Sequence, residues 1–263
     1  YTMYIEGNSL ASNNHLYDPN VETDMEIISL EYDHYFDLSG HLFLFTTVLT
    51  AGHISAEEFN RFKQSTTGMA DLYFQGTINL FGAPALNSSD FADYQQDSVL
   101  SLLVGINVPT GEYDDDRVLN MGQNRWGLRV GLPYVQTLGV WKAGEITTLE
   151  ILPSVWFYSD NNDYIGNRTL SQKPVYTLEG HLTQDLTSRL YGSLDYSIQT
   201  GGETSISGIK QDDDQTIDSL GVTLGYQVNA QSQIIMRYSS SLKPDPDKEL
   251  DIDVWQININ YFW

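Results

Sequence analysis

Asp251-Ile-Asp-Val-Trp-Gln-Ile-Asn-Ile-Asn-Tyr-Phe-Trp263 places Trp255, Ile257, Ile259, Tyr261 and Trp263 on one parity and Gln256, Asn258 and Asn260 on the other. Side chains alternate across a strand, so one face is apolar and aromatic and the other is amide-rich. In a soluble sheet the apolar face would meet a core. In a barrel held in lipid it meets acyl chains, the aromatic rings sit at the interface, and the polar face lines a watery lumen. The stretch reads as the closing strand of a membrane β-barrel. A soluble edge strand shows the same period, so the rest of the chain has to decide.

Composition agrees with the barrel. The 263 residues contain no apolar run of the length a transmembrane helix needs, about 18 residues, whereas a barrel strand needs only about 9 to 11 alternating ones. A mean hydropathy of -0.30 has a soluble look that misleads here, because half of each barrel strand is polar. Seventeen Tyr, ten Phe and five Trp in a chain with 18% charged residues would supply interfacial girdles. No cysteine is present, so neither disulfides nor thiol chemistry is available. A formal charge of -22 argues against nucleic acid, whose phosphates need clustered Lys and Arg. The sequence starts at Tyr1 without Met, and the expected precursor carries a secretion signal.

Alternating segments recur at short spacing, without heptads, sequence repeats or linkers, which predicts one β domain over residues 1–263. Twelve strands are expected near 1–9, 24–35, 40–50, 69–81, 97–108, 125–135, 146–158, 174–183, 189–199, 216–227, 232–242 and 251–263, an even number as bacterial barrels require. The segments 10–23, 51–68, 109–124, 159–173, 200–215 and 243–250 read as long polar connections, and 36–39, 184–188 and 228–231 as tight turns. Long and short alternate, as they do between an extracellular and a periplasmic side. Gly82–Gln96 is long where a short turn belongs, and is expected to carry a small plug or a helical turn.

Charges must point inward, since each costs roughly 2–4 kcal/mol at the lipid midplane. That rule sets Leu72, Phe74, Ile78 and Leu80 against Asp71, Tyr73, Gln75, Thr77 and Asn79, and Leu100, Leu102, Val104 and Ile106 against Ser101, Gly105 and Asn107. It sets Trp126, Leu128, Val130, Leu132 and Tyr134 against Arg125, Gly127 and Arg129, and it turns Glu179, His181, Tyr191 and Asp195 inward farther on. His41-Leu-Phe-Leu-Phe-Thr-Thr-Val-Leu49 is apolar on both faces, so either Leu42 and Leu44 or Phe43 and Phe45 must touch the lumen. They would do so beneath an inserted loop, or as an apolar stripe for a ring-bearing solute. Pro153 is expected to mark a bulge or kink in its strand.

Val108-Pro-Thr-Gly-Glu-Tyr-Asp-Asp-Asp-Arg-Val-Leu-Asn-Met-Gly-Gln-Asn-Arg-Trp126 resembles the loop signature of a family of proteobacterial outer-membrane channels named for the meta-cleavage pathway of phenol degradation. Phe157-Tyr-Ser-Asp-Asn-Asn-Asp-Tyr164 is similar to that family's Asp/Asn-rich strand end, Gly201–Gln211 to its Gly-Gly-Glu-Thr loop, and Gly68-Met-Ala-Asp71 to its Gly-x-x-Asp strand start. The resemblance implies an outer-membrane barrel of about twelve strands that passes small molecules, with uptake of aromatic or hydrophobic compounds proposed for some members. Trp263 departs from the Phe that usually ends such barrels.

From the residues themselves, Pro109 and Gly111 set a turn, and Arg117 and Arg125 lie among Glu112, Asp114, Asp115 and Asp116, where pairing can hold a loop inside the lumen. Arg117, Asn120, Asn124, Arg125 and Arg129 are therefore expected to line or fasten a constriction. Asp71, Tyr73, Asn79, Asn107, Glu150, Glu179, His181, Asp195 and Arg237 are the other expected lumen residues. Asp114–Asp116 and Asp212–Asp214 lack the spaced pattern of a calcium loop, and read as solvated or bridged by divalent ions to lipopolysaccharide phosphates. No metal site or cofactor is expected. Of the five histidines His15 and His53 fall in predicted loops, His34 and His41 around a predicted turn, and His181 on a lumen face beside Glu179. None has a serine elbow or a paired metal motif beside it, so no enzyme is expected. The reading is an all-β, antiparallel transmembrane barrel with loops folded toward the lumen, working as a passive, porin-like outer-membrane channel of a Gram-negative bacterium. Its partners would be outer-membrane lipid, lipopolysaccharide and small solutes, with a cationic tilt from the acidic loops. The alternatives are a secreted, carbohydrate-binding β-sandwich and a closed structural barrel.

Overall fold

The computed structural model describes residues 1–7, 9–10, 16–17, 21–58, 62–87, 90, 94–139, 142, 144–242 and 252–263. Twelve antiparallel wall strands close into a barrel. They are β1 Thr2–Gly7, β2 Val21–Leu38, β3 His41–Glu58, β4 Phe62–Met69 continued by Leu72–Phe81, β5 Ser98–Val108 and β6 Gly127–Gly131 continued by Tyr134–Leu138. The second half of the wall is β7 Thr147–Tyr158, β8 Val175–Asp185, β9 Leu190–Gly201, β10 Gln215–Asn229, β11 Ser232–Leu242 and β12 Ile252–Tyr261. Each strand pairs with its sequence neighbours, and β1 meets β12 with Tyr4 opposite Trp255 and Ile5 opposite Val254. Closure leaves the wall no edge and satisfies its backbone internally, which a strand structure in lipid must do. The C-terminal stretch therefore contains the closing strand, and a two-sheet sandwich is excluded.

The faces follow the alternation. Leu30, Leu194 and Ile259 project from the outer surface at 70%, 62% and 74% exposure. Trp126, Phe157, Tyr176 and Trp255 are exposed toward the long-loop end, and Tyr32, Phe36, Tyr226 and Tyr261 toward the short-turn end. Inside, small and polar groups pair across strands: Ser29 with Thr50 at 2.8 Å, Thr46 with Asp33 at 2.5 Å, and Ser101 with Asn79 at 2.6 Å. On β3 the register turns Phe43 and Phe45 outward, opposite Ile78 and Gly76, and so turns Leu42 and Leu44 inward. Leu44 shares its inner row with Thr77 and Leu103, the latter 4% exposed.

Three expectations need correcting. Residues 51–58 and 62–68 are strand rather than loop: they pair from Ala51–Met69 to Glu58–Phe62. Their outward residues, such as His53, Ser55, Lys63 and Thr67, are polar because this part of the wall rises beyond the lipid band, so the alternation that marks a lipid-facing strand is absent there. His53 is accordingly a strand residue, its Nδ1 2.6 Å from Thr67 Oγ1. Secondly, the connections 159–173 and 200–215 hold a four-stranded sheet of their own, Asn161–Tyr164, Arg168–Gln172, Thr204–Ile206 and Ile209–Lys210. Thirdly, β6 breaks at Leu132–Pro133, opposite Pro153. The Pro153 carbonyl accepts the Leu132 N–H at 3.0 Å, and β7 pairs with β8 without interruption from Thr147 to Trp156, so the prolines make an irregularity in a closed wall.

Between β4 and β5, Pro84 bridges His41, the Ala85 N–H donates to the Gly40 carbonyl at 3.3 Å, and the Tyr94 hydroxyl donates to the Gly82 carbonyl. Asp90 has helical backbone, its N–H accepted by Asn87 Oδ1 at 3.0 Å. These contacts tie the described part of the segment to the β2–β3 turn. His15 and the connection 243–250 lie outside the described residues.

Candidate functional site: the lumen and its tongue

A β-bulge starts the site. Ala70 and Asp71 together oppose Thr50, interrupting β4 and turning Asp71 into the lumen, where it is 8% exposed. Its Oδ1 accepts the Gly111 N–H at 2.8 Å and its Oδ2 the Gln123 N–H at 2.9 Å. One carboxylate thus joins both ends of residues 111–123, while Gly111 and Gly122 cross so closely that a Cβ on either would lie 2.7 Å from the other's backbone. What emerges is a tongue pinched at its base.

The tongue folds inward. Leu119, 1% exposed, and Met121 pack on Ile54 and Ala56 of the inner face of β3, with Met25 and Ala70 beside them. The Leu119 N–H donates to Gln64 Oε1 at 2.8 Å and the Glu112 N–H to the Met69 carbonyl at 2.8 Å. Asn120 organises the interior: its Oδ1 accepts the Asp114 N–H at 2.8 Å and its Nδ2 reaches the carbonyls of Asp114 and Arg117 at 3.1 and 3.0 Å. Arg117 pairs with Asp114 at 3.2 Å on the exposed rim.

The opposite flank is tied to the β7–β8 connection. Asn161, 1% exposed, donates to the Tyr113 hydroxyl at 2.9 Å and accepts from Asn124 Nδ2 at 3.0 Å. Arg125, 2% exposed, lies with its guanidinium 4.4 Å from the Tyr158 ring centre and donates Nη2 to Gln172 Oε1 at 2.6 Å. Burial lowers its pKa to about 10, opposed by Tyr158 and Asp71, so it remains charged at neutral pH. Of the five residues expected to form a constriction, Asn120, Asn124 and Arg125 fasten the tongue from within and Arg117 sits on its rim. Asn120 and Arg125 are buried. Among the described residues Arg125 pairs with none of the loop acids; its partners include Tyr158 and Gln172.

Below the tongue the inner wall carries a charged belt. Arg129 donates Nε to Ser154 Oγ at 3.0 Å, pairs with Glu179 through Nη2, and lies 5.6 Å from the Trp156 ring. Tyr73 meets Trp156 at 6.0 Å between ring centres and donates to Gln75 at 2.7 Å. Asn79 accepts from Ser101, and Asn107 shares its row with Tyr73 and Gly127. Glu150, His181 and Asp195 form one cross-strand row, with His181 Nδ1 2.7 Å from Asp195 Oδ1. Asp195 also accepts from Ser193 at 2.8 Å and Thr223 at 2.6 Å, and Arg237 Nε donates to Thr223 at 3.1 Å. Glu150, Glu179, His181, Asp195 and Arg237 all border cavities open to the lumen. Reading the sequence missed Asn161, Gln172, Gln64 and Trp156 as site residues; only Asn161 had a signal, inside the Asp/Asn-rich strand end.

Closed wall, inward tongue and charged lumen together define a barrel of the outer-membrane type. The chain belongs to the family described as "Putative MetA-pathway of phenol degradation", whose model matches residues 7–248. Its fold is that of an outer membrane channel from Pseudomonas putida F1, with a TM-score of 0.77 at 21% identity over 98% of this chain and 93% of that one. The β domain of the Bordetella autotransporter BrkA gives 0.55 at 9% identity, covering 100% of this chain and 97% of that one. The translocator domain of NalP from Neisseria meningitidis gives 0.54 at 11% identity, covering 100% and 86%. No curated protein sequence matches the chain.

Proposed function

We propose that this protein is an outer-membrane channel through which small solutes diffuse passively down their gradient, without catalysis. The observation that carries the reading is the tongue: a segment held by Asp71 at both ends inside a polar barrel would act as a fixed constriction. A selective pore must also hold its solute weakly enough to release it, which suits a wall of paired charges better than a deep pocket. In this reading the long loops face outward and the short turns face the periplasm.

Aromatic or hydrophobic solutes belong to the proposal through the family's description, and through a cavity of about 690 Å³ beside the tongue, bordered by Met3, Ile27, Gly52, Gly68 and Glu112. Liposome swelling tests it. Proteoliposomes should swell in sugars, amino acids and small aromatic acids at rates that fall with solute size, and empty liposomes should not. Absence of swelling in every solute would instead favour a closed structural barrel.

A further inference from the structure

We propose that the short-turn half of the lumen holds a subsite for a zwitterion whose ammonium and carboxylate stand several carbons apart. The proposal rests on the channel reading and deepens it by naming a solute class. A cavity of about 300 Å³ lies on the inner faces of β7 to β11, bordered by Glu150, His181, Asp185, Tyr191, Asp195 and Arg237.

Its charges are unequally engaged. Asp195 is well engaged, meeting His181, Ser193 and Thr223. Arg237 spends only Nε, on a Thr223 hydroxyl that already donates to Asp195. Among the described residues its Nη1 and Nη2 hydrogen-bond nothing, although that planar fork is the part of arginine shaped for a carboxylate. The Glu150 carboxylate makes no hydrogen bond among the described residues either, and Asp185 Oδ2 has only the Ile146 N–H at 3.4 Å.

Register keeps these groups apart. Glu150 stands on β7 and Arg237 on β11, with three strands between them at about 4.8 Å per step. They face one space without meeting, so a carboxylate on Arg237 and an ammonium near Glu150 and Asp185 must belong to a molecule long enough to reach both. A simple anion would meet three carboxylates, Glu150, Asp185 and Asp195, against Arg237 and His181. A simple cation would leave the guanidinium fork unused. Tyr191 and Ile235 supply apolar surface for the chain between the two charges.

The test is block of the ion current through single reconstituted barrels. The expected result is that 6-aminohexanoate blocks at concentrations several-fold lower than hexanoate, hexylammonium or alanine. R237Q and E150Q should each weaken that block several-fold, and the double variant scarcely more, because one molecule spans both positions; circular dichroism checks that each variant keeps its β-structure. If current flows but hexanoate blocks equally well, or if neither substitution moves the block, the subsite is refuted while the channel stands. If no current flows at all, the channel reading fails and the subsite fails with it.

Discussion

Asp71 is the residue that holds the base of the tongue, through the Gly111 and Gln123 N–H groups. Replacing it by Ala strips the acceptor from two backbone N–H groups at the tongue's base, at a cost of about 1–3 kcal/mol for each group left buried and unpaired. D71A is therefore expected to raise mean conductance and current noise and to lower the barrel's thermal midpoint, all measurable on one preparation. The two buried-side arginines should separate by function. R125Q, which loses its Tyr158 stacking and Gln172 bond, should make the current noisier with little change in selectivity. R129Q frees Glu179 in the lumen and should shift the reversal potential further toward cations. Asp71 and Arg129 were legible in the sequence as inward residues because a charge has no place in lipid. What Arg125 does was not, since its partners Tyr158, at the end of β7, and Gln172, in the connection after it, are brought near only by folding.

The element that couples the loops to the wall is the four-stranded sheet of the two long connections. Lys173 Nζ meets Glu203 Oε2 at 2.5 Å across it, Lys210 at 3.5 Å, and Asp213 accepts the Thr204 N–H and hydroxyl at 2.7 Å each. The Lys173 hydrogen bond, with the charges of Lys173 and Lys210, holds the Glu203 carboxyl below its ordinary value. A carboxyl depressed by folding gives its full stabilisation above its unfolded pKa of about 4.3, and loses it as pH falls through the folded value. Hydrogen exchange at Thr204–Ile206, corrected for the intrinsic rate, should therefore quicken relative to the wall strands on acidification below about pH 4, and E203Q should abolish the difference. The sheet itself could not be read from the sequence: its strands are two to five residues long and face water on the outside, so they carry no lipid alternation. The wall strands were legible for the opposite reason, and even there the alternation faded where β2, β3 and β4 rise out of the lipid band.

At the scale of the molecule, the sheet closes from β1 to β12 and the tongue packs on its inner face; in the proposed channel the tongue sets how much of the bore is open. With a formal charge of -22 and acidic loops, the bore should favour cations. The most direct test is single-channel recording of the full chain beside a variant lacking residues 112–121, with Gly111 joined to Gly122, whose backbones already touch. Removal takes Leu119 and Met121 off the inner wall while leaving both N–H groups that Asp71 holds. The expected result is a small, cation-favouring conductance for the full chain and a severalfold larger one for the variant. Equal conductances would contradict the tongue as the constriction, and silence from both would contradict the channel.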